Sequence, residues 1–244
     1  MGMFSHGTIK YGGPIDMSAR NSCHVELIKM VGKNKRVLEV GPGVGHVTQR
    51  LKEAQCLITC VEQDKEMAEM VIHHCDRLIL GDLECGDIQR EIGAEQFDVI
   101  TFGDVLEHLR DPSSVLCNLR ATISAGGYVV ASIPNVAHRS LRLSLLFGEF
   151  NYSDAGLLDR THLRFFTLKS INELMREAGF AIEEVVRIRD SSLMDGYLRN
   201  TASHAKRILL EIVKVLFRIF IRGEGLTYQF VIKAVPLRLP SRGW

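Results

Sequence analysis

Three glycines and a series of acids carry the chemistry that can be read from this chain. Residues 36–48 run Arg-Val-Leu-Glu-Val-Gly-Pro-Gly-Val-Gly-His-Val-Thr. Val37, Leu38 and Val40 predict a buried strand. Gly41, Gly43 and Gly45 then predict a tight turn, and 47–54 predicts a helix. Glycine serves where the backbone must take positive φ or let a ligand come into contact. The helix that follows aims its free N–H groups at that ligand. The dinucleotide fingerprint is G-x-G-x-x-G, but the spacing here is G-x-G-x-G, with Glu39 just before it. A diphosphate has no use for a carboxylate at that place. A cofactor carrying an amino group and a sulfonium does.

Further acids stand where predicted strands end. Glu62 closes a strand over 57–62, and a carboxylate there can accept from both hydroxyls of a ribose. A solvated acid at a strand end is the plainer alternative. Asp82 follows a short strand over 78–80, in Leu-Gly-Asp-Leu; it can accept from an adenine amino group while Leu83 offers its N–H. Asp104 and Glu107-His108 follow a continuous apolar strand over 97–102. Four acids or acid clusters at four consecutive strand ends form an order that chance on solvated loops rarely produces.

The elements that must position these residues alternate. Ser18 can cap a helix over 19–31. Strands over 36–40, 57–62, 78–80, 97–102 and 128–133 are separated by helical segments over 47–54, 65–74, 88–92 and 112–122, the last stopped by Gly126-Gly127. Alternation of this kind predicts a parallel sheet with helices on both faces. Ligands of such sheets sit beyond the carboxyl ends of the strands. The second half is less regular. Residues 135–167 form a mixed segment with His138, His162 and the pair Phe165-Phe166. A helix capped by Thr167 or Ser170 runs to Ala178, and strands follow over 181–188 and 228–235. The reading divides the chain into an N-terminal cap segment (1–35), a core (36–190, with 135–167 on the acceptor side) and an end (191–244) that completes the same domain.

Together, Val37–Gly45, Glu62, Gly81-Asp82 and Phe97–Pro112 resemble the class I S-adenosylmethionine-dependent methyltransferases, within them the group that includes ubiquinone-biosynthesis O-methyltransferases. Asp159-Arg-Thr-His-Leu-Arg-Phe-Phe-Thr and a helix ending Glu-Ala-Gly-Phe180 extend the resemblance to about residue 190. It implies an α/β, Rossmann-like, seven-stranded sheet with the last strand antiparallel, and S-adenosyl-L-methionine as cofactor. It places Glu39, Gly41 and Gly43 at the methionine part, Glu62 at the ribose, Asp82 and Leu83 at the adenine, and Asp104 beside the sulfonium, with Gly45 and Gln63 also among the cofactor-binding residues. Pro42 departs from the small residue usual in the family and stiffens the turn without blocking it.

Methyl transfer is an in-line displacement, so the protein mainly aligns the nucleophile and removes its proton. His108 is the first candidate base and His162 the second, since neutral imidazole is poised near pH 7. His108 could instead only cap or pack, and the run from Asp159 to Arg164 could be a loop tethered by ion pairs. Asp104-x-x-Glu107-His108 also resembles the metal ligands of small-RNA 2′-O-methyltransferases and of some ubiquinone O-methyltransferases, with His162 as fourth ligand. Asp in the first place shortens the reach, and no metal is assigned. His73-His74-Cys75 is no metal site, because adjacent helical residues point apart.

The net charge is +1, which gives no field for nucleic acid. No basic patch is interleaved with aromatics, and the N-P-P-[YF] signature of base methylation is absent. The six cysteines form no C-x-x-C pair and read as reduced. With no signal-peptide layout at the start and no apolar run of bilayer length, a cytoplasmic protein is expected. Residues 203–222 predict a strongly apolar helix with Arg207, Glu211, Lys214, Arg218 and Arg222 on one stripe. It fits burial in the core, a homodimer contact or peripheral membrane attachment. The expected function is methylation of a hydroxyl on a small-molecule, sugar or lipid-linked acceptor. A non-catalytic cofactor-binding scaffold and a nicotinamide-dependent oxidoreductase are the alternatives.

Overall fold

A computed structural model of the chain describes residues 14–85, 87–189 and 223–237. Helix 203–222 therefore lies outside the described residues. The described elements are α1 (Cys23–Val31), β1 (Arg36–Val40), α2 (His46–Glu53), β2 (Leu57–Glu62), α3 (Lys65–Val71), β3 (Arg77–Leu80), α4 (Asp87–Ile92), β4 (Phe97–Gly103), α5 (Pro112–Leu119), β5 (Ile123–Pro134), α6 (Arg139–Leu146), α7 (Leu168–Glu177), β6 (Phe180–Arg189) and β7 (Thr227–Pro236). The strands form a seven-stranded sheet of order β3-β2-β1-β4-β5-β7-β6. β7 runs antiparallel between β5 and β6, and β1 to β5 pair in parallel.

Successive strand residues point to opposite faces, so each strand feeds two cores. Leu38, Ile100, Val129 and Ile232 meet Ile92 of α4, Leu116 of α5 and Met175 of α7. Their neighbours Val37, Val99, Val130 and Val231 meet Leu27 of α1, Leu51 of α2 and Val71 of α3. The central strands are continuous apolar runs because both faces are covered. No helix among the described residues is long and apolar enough to cross a membrane, and the six cysteines are free.

Three expectations change. The first helix starts at Cys23 rather than at residue 19. Its cap is Ser22, whose Oγ accepts from Val25 N–H, and not Ser18. The Gly126-Gly127 pair does not end a helix but lies inside β5, which begins at Ile123. A Cβ on Gly127 would lie 2.9 Å from the Asp98 carbonyl and 3.0 Å from that of Phe97, so only glycine lets β5 approach β4 there. Finally, residues 135–167 contain a helix, α6, capped by His138.

Candidate active site

Every acid picked out from the sequence falls at the carboxyl edge of the parallel strands. At the end of β1 the chain passes through Gly41, Gly43 and Gly45 with φ of +61°, +55° and +85°. Side chains rarely adopt such values. Gly41 N–H donates to the Val61 carbonyl at 2.9 Å, and Gly45 caps α2. A Cβ on Gly41 would meet Val105 Cγ2 at 2.7 Å, so the loop is seated on the turn after β4. Glu39 is buried beneath it. Burial pushes its carboxyl up to about 7, partly offset by the side chains of Thr48 and Cys60. A buried acid without a cationic partner prefers its proton; a ligand ammonium would reverse that preference.

Glu62, 7% exposed, fastens two loops together. Its Oε1 accepts from Gln63 N–H at 2.8 Å and Asp64 N–H at 3.0 Å, and its Oε2 from Gly43 N–H at 3.3 Å. The plain solvated acid is thus excluded. Carboxylates of this kind keep lone pairs for further donors, as a ribose diol would supply. Asp82 is exposed, and its carboxylate shapes the β3–α4 turn by accepting from Glu84 N–H at 2.9 Å. Leu83 packs its side chain on the core below.

Asp104 takes φ +56°, uncommon for a residue with a side chain, and is held from two strands. Its N–H donates to Ser132 Oγ at 3.0 Å, while the Ser132 hydroxyl donates to Oδ1 at 2.8 Å. Gln229 Nε2 donates to the same oxygen. Sequence reasoning missed Ser132 and Gln229. Their signal is a polar residue inside an otherwise apolar strand, Ser132 in β5 and Gln229 in β7.

His108 and His162 come together across the site, with ring centroids 4.8 Å apart and an edge-to-face angle of 71°. The Glu107 carbonyl draws the second loop in, accepting from Leu163 N–H at 2.8 Å and Arg164 N–H at 2.9 Å. His108 Nδ1 lies 3.1 Å from the Thr161 carbonyl, and His162 Nδ1 lies 3.3 Å from that of Leu157. A carbonyl only accepts, so each Nδ1 carries a proton, and in the neutral ring each Nε2 keeps its lone pair. Burial, then the His108 ring, lowers the pKa of His162. Within the 159–164 run, Arg160 pairs with Asp154 at 3.2 Å, and Arg164 donates to the Arg110 carbonyl at 3.0 Å.

Glu107 is fully buried, and neither carboxylate oxygen has a hydrogen-bond partner. Burial, then the Asp104 charge, pushes its carboxyl well above the carboxylate range. Ligating atoms of Glu107, His108 and His162 lie within 4.8 Å of one another. The four-ligand pattern read from the sequence is divided, however. Asp104 groups with Cys23 and His24 of α1, within the same distance, and those two residues were also missed. Outward from His162 the wall is aromatic: Phe165 lies 6.2 Å away, with Phe150 and Tyr152 5.7 and 6.5 Å beyond.

A parallel sheet with an antiparallel β7 inserted between β5 and β6, a glycine turn after β1 and acids at the ends of β1 to β4 is the class I methyltransferase architecture. The chain belongs to the methyltransferase-domain family, whose model matches residues 23–185. It is 24% identical to a ubiquinone biosynthesis O-methyltransferase of Hydrogenovibrio crunogenus, over 72% of this chain and 76% of the relative. To the enzyme of that description from Coxiella burnetii it is 26% identical, over 64% and 68%. Among solved structures, a SAM-dependent methyltransferase of Archaeoglobus fulgidus superposes with a TM-score of 0.63 at 15% identity, covering 86% of this chain and 91% of that one. The magnesium protoporphyrin IX methyltransferase of Synechocystis, with bound SAH, gives 0.57 at 13%, covering 88% and 83%. The protein is a methyltransferase dependent on S-adenosyl-L-methionine. The positive-φ glycine turn and the buried acid beneath it fit that cofactor.

Proposed function

We propose that the protein methylates a hydroxyl group on a small molecule with an apolar or ring-bearing body, free, glycosidic or lipid-linked. The observation that carries this reading is the imidazole pair His108–His162 opening onto Phe165, Phe150 and Tyr152. Polar atoms that can receive a hydroxyl stand at the inner end of an apolar wall. Ring faces of this kind take up flat or aliphatic bodies. The related enzymes named above, which transfer to oxygen, support the same choice of atom.

In the proposed assignment Glu39, Gly41, Gly43 and Gly45 hold the methionine part of the cofactor. Glu62 and Gln63 hold the ribose, Asp82 and Leu83 the adenine, and Asp104 borders the sulfonium. When bound, the cofactor supplies a methyl group on a good leaving group. The chain's own task is alignment, and a fixed near-attack geometry accounts for much of such catalysis. His108 and His162 are the catalytic residues of this reading: their Nε2 atoms face the acceptor and position it for attack in line with the methyl group.

The test is a small-molecule extract incubated with the protein and trideuteromethyl-labelled cofactor. A product heavier by one deuterated methyl group, with a methyl carbon shift typical of an ether, is expected. Label found on nitrogen or carbon, or only in protein or nucleic acid, would overturn the reading.

A further inference from the structure

Besides His108 and His162, a third imidazole stands beside Asp104. His24 is exposed on the first turn of α1. One of its ring nitrogens, the Cys23 sulfur and an Asp104 carboxylate oxygen lie within 4.8 Å of one another. This placement is fixed from several directions. Asn21 just before the helix accepts from Arg189 N–H at 2.8 Å and donates back to the Arg189 carbonyl, which ties the start of α1 to the end of β6. The Tyr128 hydroxyl holds the other end of α1 through the carbonyls of Met30 and Val31, at 3.1 and 3.0 Å. Leu27 and Val31 anchor the helix in the core. Asp104 in turn is pinned through Oδ1 by Ser132 and Gln229.

We infer that His24 is a catalytic residue, the imidazole that takes the acceptor's proton, with Asp104 as the carboxylate that supports it. This rests on the proposed function above. As the acceptor oxygen bonds to the methyl carbon, the carbon–sulfur bond breaks and its electrons leave with the neutral thioether. The O–H proton passes to His24. An imidazole that becomes charged needs an anion beside it, as the histidine of a Ser-His-Asp triad has. His24 has one in Asp104, which is hydrogen-bonded and open to solvent on one side. His108 does not. Its ring faces another imidazole at 4.8 Å, and the carboxyl beside it, Glu107, is fully buried and keeps its proton, so it supplies no anion. Burial, then the His108 ring, disfavours a charge on His162. His108 and His162 therefore position the acceptor, and His24 removes the proton. The Cys23 thiol, pushed up to about 12 by burial and then by Asp104 and Glu107, stays protonated and does not compete.

Two measurements test this. His24→Ala and His24→Gln should lower turnover of the acceptor found with labelled cofactor by about 10²–10⁴-fold, the range for a lost general base. Affinity for S-adenosylhomocysteine should stay within about threefold of wild type, because His24 contacts acceptor rather than cofactor. Near-normal turnover overturns the inference, and so does a loss confined to cofactor affinity. The second measurement needs no acceptor. Histidine ring NMR of the wild-type protein is recorded with S-adenosylhomocysteine and then with sinefungin, whose charged amine replaces the reacting methyl. The His24 titration midpoint should be lower with sinefungin by about half a unit or more, as a like charge nearby requires. Equal midpoints overturn the inference. Failure of both ligands to bind would instead defeat the assignment of the cofactor site.

Discussion

Replacing Glu62 gives the sharpest test of how the site is built, because this carboxylate has two separable duties. It accepts from three backbone N–H groups: two good bonds on Oε1 at 2.8 and 3.0 Å and a weaker one on Oε2 at 3.3 Å. Hydrogen bonds to a charged acceptor contribute roughly 1.5–3 kcal/mol each when well made. Glu62→Ala leaves those donors near a buried position. Local water can reach the vacated space, so a stability loss of about 2–4 kcal/mol is expected rather than the full sum. The second duty is the proposed acceptance from the ribose diol. Its removal should weaken S-adenosylhomocysteine binding by a further 1–3 kcal/mol, about 5- to 150-fold in Kd. Glu62→Gln separates the two. One amide oxygen can still serve Gln63 and Asp64, but the amide nitrogen would face the Gly43 N–H donor. The Gln variant should therefore regain most of the stability and only part of the affinity. Calorimetry with S-adenosylhomocysteine and denaturant melts of all three proteins give both numbers. An alanine variant that melts below wild type yet binds the ligand as tightly would refute the ribose assignment.

Three further outcomes follow from the same geometry. Glu39 in the free protein holds its proton up to about pH 7, against an ordinary 4.5; this erodes folding stability as pH rises between those values, since the unfolded chain ionises first. A ligand ammonium needs the ionised form, so S-adenosylhomocysteine binding should release a proton and weaken about tenfold between pH 8 and 6. Calorimetry in buffers of different ionisation enthalpy reads both effects, and Glu39→Gln should remove both. Gly43→Val should abolish cofactor binding without unfolding the sheet, because valine is strained at φ +55° and its branches fill the cradle; measurable binding by the folded variant would count against the turn as the methionine seat. His108→Ala should lower turnover by about 10²-fold through a misplaced acceptor and leave cofactor affinity unchanged, as a titration beside a rate assay would reveal.

The glycine turn and the acids at the carboxyl edge were legible in the sequence because their placement is local. A glycine turn must follow its strand, and an acid at a strand end stays at the carboxyl edge of a parallel sheet. Glu39, Glu62, Asp82 and Asp104 needed only the alternation of strands and helices to be placed together. Core faces were legible for the same reason: residues such as Val37 and Leu38 alternate between two cores. What escaped depends on contacts between distant segments. Ser132 and Gln229 meet Asp104 only because β7 inserts antiparallel beside β5. His24 reaches Asp104 because Asn21 ties α1 to the end of β6. The burial of Glu107, and the approach of His162 to His108, follow from a loop drawn in by one backbone carbonyl. The glycine pair at 126–127 misled because glycine ends helices as readily as it admits a close strand, and only the neighbouring Asp98 and Phe97 carbonyls decide between the two.

The central claim is that the edge formed by Glu39, the glycine turn, Glu62 and Asp82 is one adenosyl-sulfonium site and not a dinucleotide site. Isothermal titration of the purified protein with S-adenosylhomocysteine, and separately with NAD, tests it most directly. Saturable one-to-one binding of S-adenosylhomocysteine is predicted, weakened in Glu62→Ala and absent in Gly43→Val, with no heat from NAD. Binding of NAD together with silence toward S-adenosylhomocysteine would contradict the account.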